Sequence, residues 1–244
     1  MAAAIAMLIA AAVLSFGMGS PPHSRRGADA AAHFLAAWQR KLEGTWLVDA
    51  TVTRTLNDSG QLVAPLRMVQ RPPDRLTFGL GDASGRTADS LLRCPTSPDG
   101  SSTCFTTKGA PSYADDVADE LATLRTYVES TKPLYSVIDY RDGCYGLDLV
   151  LDFPSPPWGK QALFCFDDAT GAPALTVINY GDVTERTEAA GIHAQVTDAD
   201  LQGPADRGQV LAEAGVDPRT TTTTTSSTTT TTTVPASTSS SSSS

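Results

Sequence analysis

The sequence predicts an α+β fold in which about nine antiparallel strands form one curved sheet and two helices lie on one of its faces. Two observations carry this prediction. Most apolar residues alternate with polar ones, which is the period of a half-buried strand. Two segments instead place their apolar residues three and four positions apart, which is the period of a helix.

The four cysteines indicate how the strands pair. Each cysteine pair is symmetrical about a turn. Cys94 and Cys104 flank the turn at 99–100, and Cys144 and Cys165 flank the turn at 154–155. Four cysteines allow three connectivities, and only this one closes two local hairpins. Alternation along the strands also directs both sulfurs of the second pair to the outer face of the sheet. Disulfides form in oxidising compartments, so the pattern predicts an extracytoplasmic protein.

The two helices have recognisable ends. The first carries apolar residues at Phe34, Leu35, Trp38 and Leu42, and Gly44 stands where a C-cap is expected. The second begins with a capping box formed by Ser112 and Asp115. Its apolar face consists of Tyr113, Val117, Leu121, Leu124 and Val128.

Strands are predicted between and after the helices. They span 46–53, 62–68, 75–78, 91–94, 104–107, 134–140, 145–151, 162–166, 175–180 and 183–194. The last strand is expected to bend at Gly191. Pro65 predicts that 62–68 is an edge or bulged strand, because proline cannot donate to a second neighbour. Residues 81–85, which contain two glycines, are expected to form a loop.

The two ends of the chain differ from the middle. Residues 1–27 begin with an apolar run and predict a signal peptide or an N-terminal membrane anchor. Arg25 and Arg26 follow that run, which alone favours a cytoplasmic domain, but the cysteine pairs favour export. Residues 206–244 are rich in Thr and Ser and predict a disordered tail, either an inert spacer or a stalk. The folded domain is therefore expected to span 28–205.

Composition and motifs exclude several classes of function. The net charge of −9 disfavours nucleic acid and anionic membrane surfaces as partners. The three histidines have no metal-ligand spacing, and no nucleophile elbow, P-loop or dinucleotide loop occurs. The carboxylates at the start of the second helix are explained by the helix dipole. We therefore predict a non-enzymatic protein with no catalytic residue, no metal and no cofactor.

The order of elements resembles a known superfamily. A leading helix runs into a strand through Glu43-Gly44-Thr45-Trp46, and Asp168-Ala169-Thr170-Gly171-Ala172-Pro173 precedes a later strand. Val196-Thr197-Asp198-Ala199-Asp200-Leu201 closes the domain. This arrangement is similar to the bacterial lipoprotein carriers of the Lol type, together with related envelope-stress regulators and mycobacterial lipoproteins. The likeness extends over about residues 30 to 205.

The resemblance implies a half-barrel whose helices fill its concave side and whose interior holds acyl chains or a lipidated peptide. Such a cavity would be lined by Trp46, Val48, Val52, Leu66, Met68, Leu121, Leu124, Leu147, Leu149, Phe164 and Phe166. The same residues are equally explained as a packed core. The leading hypothesis is thus a monomeric envelope protein that binds a lipid or an acylated protein. The alternative is a surface interaction or sensor domain that contacts an envelope protein through loop 154–158, with Trp158 at its tip.

Overall fold

The computed structural model describes residues 25–56, 60–79, 82–88, 90–95, 103–140, 142–202 and 210–213. Residues 1–24 of the predicted leader and the turn at 99–100 lie outside these ranges. So does the predicted tail, apart from one short strand.

The described chain contains two helices and thirteen strands. The helices are α1 (Ala28–Glu43) and α2 (Tyr113–Val128). The strands are β1 (Arg25–Arg26), β2 (Trp46–Leu56), β3 (Gly60–Arg71), β4 (Asp74–Gly79), β5 (Asp82–Thr87), β6 (Ser90–Cys94), β7 (Thr103–Lys108), β8 (Tyr135–Asp139), β9 (Cys144–Leu149), β10 (Gln161–Phe166), β11 (Pro173–Asn179), β12 (Val183–His193) and β13 (Val210–Glu213).

All strands belong to one open, curved sheet with the order β1-β8-β9-β10-β11-β12-β2-β3-β4-β5-β6-β7-β13. The eleven strands from β8 to β7 in this order are antiparallel throughout. At one edge β1 pairs with β8, and at the other β13 pairs in parallel with β7. The predicted α+β half-barrel is confirmed: ten of its eleven antiparallel strands lie at the predicted ranges, and β5 is additional.

Two details of the predicted strands are corrected. Residues 82–85 of the expected loop belong to β5, which runs to Thr87 and pairs antiparallel with β4 and β6. A Cβ at Gly85 would lie 2.1 Å from the carbonyl oxygen of Arg75, so this glycine permits close pairing. Strand β3 is internal rather than an edge. Its neighbour β4 pairs only from Leu66 onward, so Pro65 lies where β3 has β2 alone beside it.

The predicted bend in β12 is confirmed. The register with β2 shifts between Ala189 and Gly191, which is the signature of a β-bulge.

The helix ends agree with the sequence prediction. The side chain of Ser112 accepts a hydrogen bond from the backbone N–H of Asp115 at the start of α2. Gly44 follows α1 as its C-cap in an extended conformation. A Cβ at Gly44 would lie 2.4 Å from the carbonyl oxygen of Thr170, so only glycine allows α1 to end so close to the loop before β11.

Both predicted disulfides are present, and no cysteine is free. Cys144 lies directly opposite Cys165 in the β9–β10 pair, as the alternation of side chains predicts. Cys94 and Cys104 are fully buried and pack with Ala83 in a small apolar cluster.

Candidate functional site

One face of the sheet carries the two helices and is called the concave face here. Trp46 and Gln70 are register partners, so their side chains share a face. The indole N–H of Trp46 and the amide of Gln70 both donate to carbonyl oxygens at the end of α1. Arg75, the partner of Gln70 on β4, contacts Glu120 of α2. These contacts identify the face that the helices cover.

An aromatic cluster fills the space between the helices and β8–β10. The rings of Phe34 and Trp38 on α1 contact Phe164 on β10, with centroids 5.9 and 5.2 Å apart. The apolar residues of α2 that are buried here are Leu121, Leu124 and Val128. This cluster is the largest apolar core among the described residues.

Trp158 is part of this cluster, which corrects the expectation that it stands at an exposed loop tip. Its ring contacts Trp38, Tyr127 and Phe164. Its backbone N–H donates to the hydroxyl of Tyr135 at 2.9 Å. A large amphipathic ring is stabilised by packing on other rings, so the proline-rich loop folds back over the end of the sheet.

The structure divides the predicted cavity residues between two clusters. The first cluster lies between the helices and the sheet and contains Leu121, Leu124, Leu147, Phe164 and Phe166, with Leu149 partly buried beside them. Trp46 and Val48 form a second cluster with Ala50 and Ala172, against which Leu66 and Met68 pack. Val52 is buried farther along the same face of β2.

The apolar surface continues beyond the helices. Leu66 and Met68 are only half-buried, although they share the concave face with fully buried Val48. Farther out on this face, Leu62 and Leu56 are 53% and 40% exposed. The concave face therefore has a covered part under the helices and an open part on β2 and β3.

Helix α2 is fastened to the sheet by charged side chains. Arg75 on β4 lies 3.3 Å from Glu120 and 3.6 Å from Asp116. Arg86 on β5 is 2% exposed and lies 2.9 Å from Asp116. Its Nη2 also donates to the carbonyl oxygen of Pro111, before α2. Glu120 accepts a further hydrogen bond from the indole of Trp38 at 2.8 Å.

Lys41 on α1 completes this group, which we call the ion-pair cluster: Lys41, Arg75, Arg86, Asp116 and Glu120. The ammonium of Lys41 lies 3.9 Å from the ring centre of Trp38. Desolvation lowers the pKa of Lys41 to about 8, opposed by the negative charge of Glu120.

Tyr113 lies among the same charges. Desolvation raises the pKa of its hydroxyl, and Arg75 acts in the opposite direction. That hydroxyl donates to the carbonyl oxygen of Leu42, which joins α2 to the end of α1.

Asp116 and Glu120, which the helix dipole explains in the sequence, have partners on the sheet that sequence reasoning missed. The alternation of β4 does place Arg75 on the face of Thr77 and opposite that of Leu76. A basic residue on a face expected to be covered was the available signal. Arg86 could not be interpreted in this way, because it lies between the expected loop 81–85 and the next predicted strand at 91–94, where no alternation was assigned.

Two cavities border the helices. A cleft of about 390 Å³ lies between α2 and the loop that carries Trp158, and its walls include Trp38, Leu124 and Tyr127. The carboxylates of Asp116, Asp119 and Glu120 also line it. A second cavity of about 520 Å³ lies at the other end of α2, between Val128 and the start of β8.

Other polar groups singled out in the sequence have structural roles. His33 is 2.8 Å from Asp139 and links α1 to β8. Asp167 accepts hydrogen bonds from Thr170 and closes the turn before β11. Within the described ranges, no group of three or more potential metal ligands occurs. None of the helices described combines the length and the apolar character needed to cross a membrane.

The curved sheet with helices on its concave face defines the class as an α+β half-barrel. No protein-family model and no curated protein matches the sequence. Among solved structures, the chain is similar to the LolA superfamily protein NE2245 from Nitrosomonas europaea, with 7% identity and a TM-score of 0.34. That match covers 72% of this chain and 98% of the other.

Two further solved structures are similar. The MucA/MucB complex of Pseudomonas aeruginosa matches with 15% identity and a TM-score of 0.40, over 73% of this chain and 62% of the matched chain. LprF from Mycobacterium bovis matches with 10% identity and a TM-score of 0.34, over 74% of this chain and 99% of the other. The predicted resemblance is confirmed, and at these values the likeness concerns the fold alone.

Proposed function

We propose that this protein is a non-enzymatic envelope protein that binds a hydrophobic ligand, a lipid or the acyl chain of a lipoprotein, on the concave face of the half-barrel. In this proposal residues 1–27 direct export or anchor the chain, 28–205 form the binding domain, and the Thr- and Ser-rich tail beyond β13 is a spacer or a stalk. The two disulfides support an extracytoplasmic location, because they need an oxidising environment to form.

The observation that carries the proposal is the way α2 is held. Charged side chains connect it to β4 and β5, while its buried apolar residues are few. In this proposal α2 moves away from the sheet as a unit, and the ligand replaces the apolar contacts that the helix gives up. Burial of each ligand methylene contributes about 0.8 kcal/mol, so one acyl chain can offset the loss of Leu121, Leu124 and Val128.

The open part of the concave face supports the same reading. A chain that entered from Leu62 would pass Leu66 and Met68 before reaching the covered core. The half-buried state of these side chains gives a ligand apolar surface to cover without any movement of the helices. The cleft beside α2, at about 390 Å³, has a volume within the range of about 300–1,000 Å³ that is typical of small-molecule sites.

Quenching of tryptophan fluorescence by brominated lipid tests the proposal. All three tryptophans contribute to the concave side, in the two clusters. A phospholipid brominated on its acyl chains should quench Trp38 and Trp158, whereas the unbrominated lipid should not. Organic extraction of the natively purified protein, followed by mass spectrometry, should recover a lipid.

Variants that lack one or two of the three tryptophans locate the bound acyl chain. W46F retains Trp38 and Trp158 and should keep most of the quenching. W38F/W158F retains only Trp46 and reports on the second cluster. The absence of quenching in the wild-type protein, together with the absence of extractable lipid, would refute the proposed function.

A second function is favoured by a separate observation. Val150, Leu151 and Phe153 follow β9 and are all exposed, so loop 150–153 presents a small apolar patch. This patch is suited to contact with an envelope protein. A photo-crosslinking residue at position 153 should form an adduct with one protein in intact cells, while the same residue at exposed position 129 should not. Equal labelling at both positions would rule out this contact.

A further inference from the structure

The ion-pair cluster contains unequal numbers of charges. Lys41, Arg75 and Arg86 supply three cations, and Asp116 and Glu120 supply two carboxylates. Among the residues that the structure describes, the Nε of buried Arg86 has no hydrogen-bond partner. Its Nη1 lies at ion-pair distance from Asp116 but is not directed at it as a hydrogen-bond donor. The cluster therefore has unused capacity for an anion.

The two signs of charge belong to different elements. The cations lie on α1, β4 and β5, whereas both carboxylates lie on α2. Movement of α2 away from the sheet would remove both carboxylates together. Three cations would remain on the concave face without a counter-ion, and leaving such charges unpaired is costly. An apolar ligand that displaces α2 does not restore these pairs.

The cleft beside α2 borders the ion-pair cluster. Trp38 and Trp158 form an apolar wall that does not belong to α2. Helix α2 lines the other side with Leu124 and with the carboxylates of Asp116, Asp119 and Glu120. An amphiphile with its chain along this wall would bring its headgroup to the position of the two carboxylates. Guanidinium groups bind carboxylate and phosphate in the same planar, two-point manner.

We propose that Lys41, Arg75 and Arg86 form a receptor for the anionic headgroup of an amphiphile, and that Asp116 and Glu120 occupy this receptor in the unliganded protein. The inference rests on the proposed function and specifies its ligand class. The headgroup chemistry is a carboxylate or a phosphate.

Binding of matched anionic and neutral lipids tests the inference. The carboxylate arm compares dibromostearate with its methyl ester, and the phosphate arm compares brominated phosphatidic acid with brominated diacylglycerol. Tryptophan quenching gives each dissociation constant. The anionic member of at least one pair should bind about tenfold more tightly or better, and the arm that shows this identifies the headgroup.

Variants connect this preference to the cluster. In Arg75→Gln and Arg86→Gln the ratio of anionic to neutral affinity should fall to less than about threefold. Arg67→Gln is the matched control, because Arg67 lies on the opposite face and pairs with Asp200. Its ratio should equal that of the wild type.

The double variant Asp116→Asn/Glu120→Gln keeps the inference testable if Arg86→Gln does not fold. Without the two carboxylates the receptor is vacant, so the anionic lipid should bind about tenfold more tightly than to the wild type. Equal binding of the anionic and neutral members in both arms would overturn the receptor and leave the proposed function standing. Failure of all four lipids to bind would overturn both.

Discussion

At the scale of single residues, the join between α1 and the sheet depends on a few polar side chains. Gln70 is fully buried, and its amide nitrogen lies within hydrogen-bond distance of the carbonyl oxygens of Lys41, Leu42 and Gly44. The last carbonyls of a helix have no partner within it. Gln70 therefore caps α1 from a neighbouring strand and fixes where the helix meets the concave face.

Replacement of Gln70 by Leu should lower the free energy of unfolding by about 1–3 kcal/mol, because the carbonyl groups of Lys41, Leu42 and Gly44 lose one of their donors. Denaturant unfolding measures the change. Gln39→Leu is the control, since Gln39 bonds only Glu43 on the exposed side of α1, and it should change stability by less than about 0.5 kcal/mol. Equal losses in the two variants would contradict the capping role of Gln70.

The lowered pKa of Lys41 predicts a pH dependence. Because this pKa falls from 10.5 to about 8 on folding, the folded protein binds fewer protons than the unfolded chain between these values. Stability rises with pH wherever the unfolded state binds more protons. The contribution of Lys41 to the free energy of unfolding should thus increase from about pH 8 to 10.5, by at most about 3 kcal/mol.

Denaturant unfolding of the wild type and of Lys41→Met at several pH values measures this contribution as a difference. The five tyrosines whose pKa values are raised by burial are present in both proteins, so their contributions cancel. The stability of the wild type relative to the variant should increase between pH 8 and 10. Parallel pH profiles would show that the ammonium is not desolvated.

At the scale of elements, the two helices differ in how they are attached. Helix α1 buries seven residues, among them Phe34, Trp38 and Leu42. Helix α2 buries three, and its first half is held by ion pairs to Arg75 and Arg86. Helix α1 is thus a fixed part of the core, and α2 is the element with the lower cost of detachment.

Neutralising both carboxylates in Asp116→Asn/Glu120→Gln should speed amide hydrogen exchange along α2 by about tenfold or more, through a loss of about 2 kcal/mol in local stability. Exchange in α1 should change little. Hydrogen exchange read by mass spectrometry or NMR measures both helices in one experiment.

Asp119→Asn provides the control for charge. Asp119 lies on the same helix and is exposed, and it has no ion pair among the described residues. Its replacement should leave exchange in α2 within about twofold of the wild type. A comparable acceleration in this variant would show that helix charge, rather than the ion pairs, controls α2.

At the scale of the whole molecule, the half-barrel is stabilised at two separate hairpins on the two halves of the sheet. The Cys94–Cys104 bond joins the ends of β6 and β7, and the Cys144–Cys165 bond joins β9 and β10. The sequence separations are 10 and 21 residues. Both bonds link neighbouring strands, so each constrains one half of the sheet, and neither is attached to a helix.

Removal of either bond by paired Cys→Ala substitution should destabilise the protein by about 3 kcal/mol, with the Cys144–Cys165 bond worth about 0.7 kcal/mol more because it closes the longer loop. Thermal or denaturant unfolding measures both. Alkylation of the native wild-type protein should find no reactive thiol. A free thiol in the folded protein would contradict the pairing.

The local structure of this protein could be predicted from its sequence alone. The helix ends at Gly44 and Ser112, the strand periods and both disulfides depend on residues close together in the chain, where spacing and turn chemistry decide the outcome. Which strand residues share the concave face was also accessible, because alternation places successive side chains on opposite faces.

The contacts between side chains from distant segments could be found only in the three-dimensional structure. Arg75 and Glu120 are 45 positions apart, and their contact exists because the sheet curves until β4 lies beneath α2. The prediction that Trp158 stands at a loop tip was wrong for the same reason, because its partners Phe34 and Trp38 belong to the first helix. Such contacts depend on curvature and on the return of a loop, and neither is encoded in the period of a short segment.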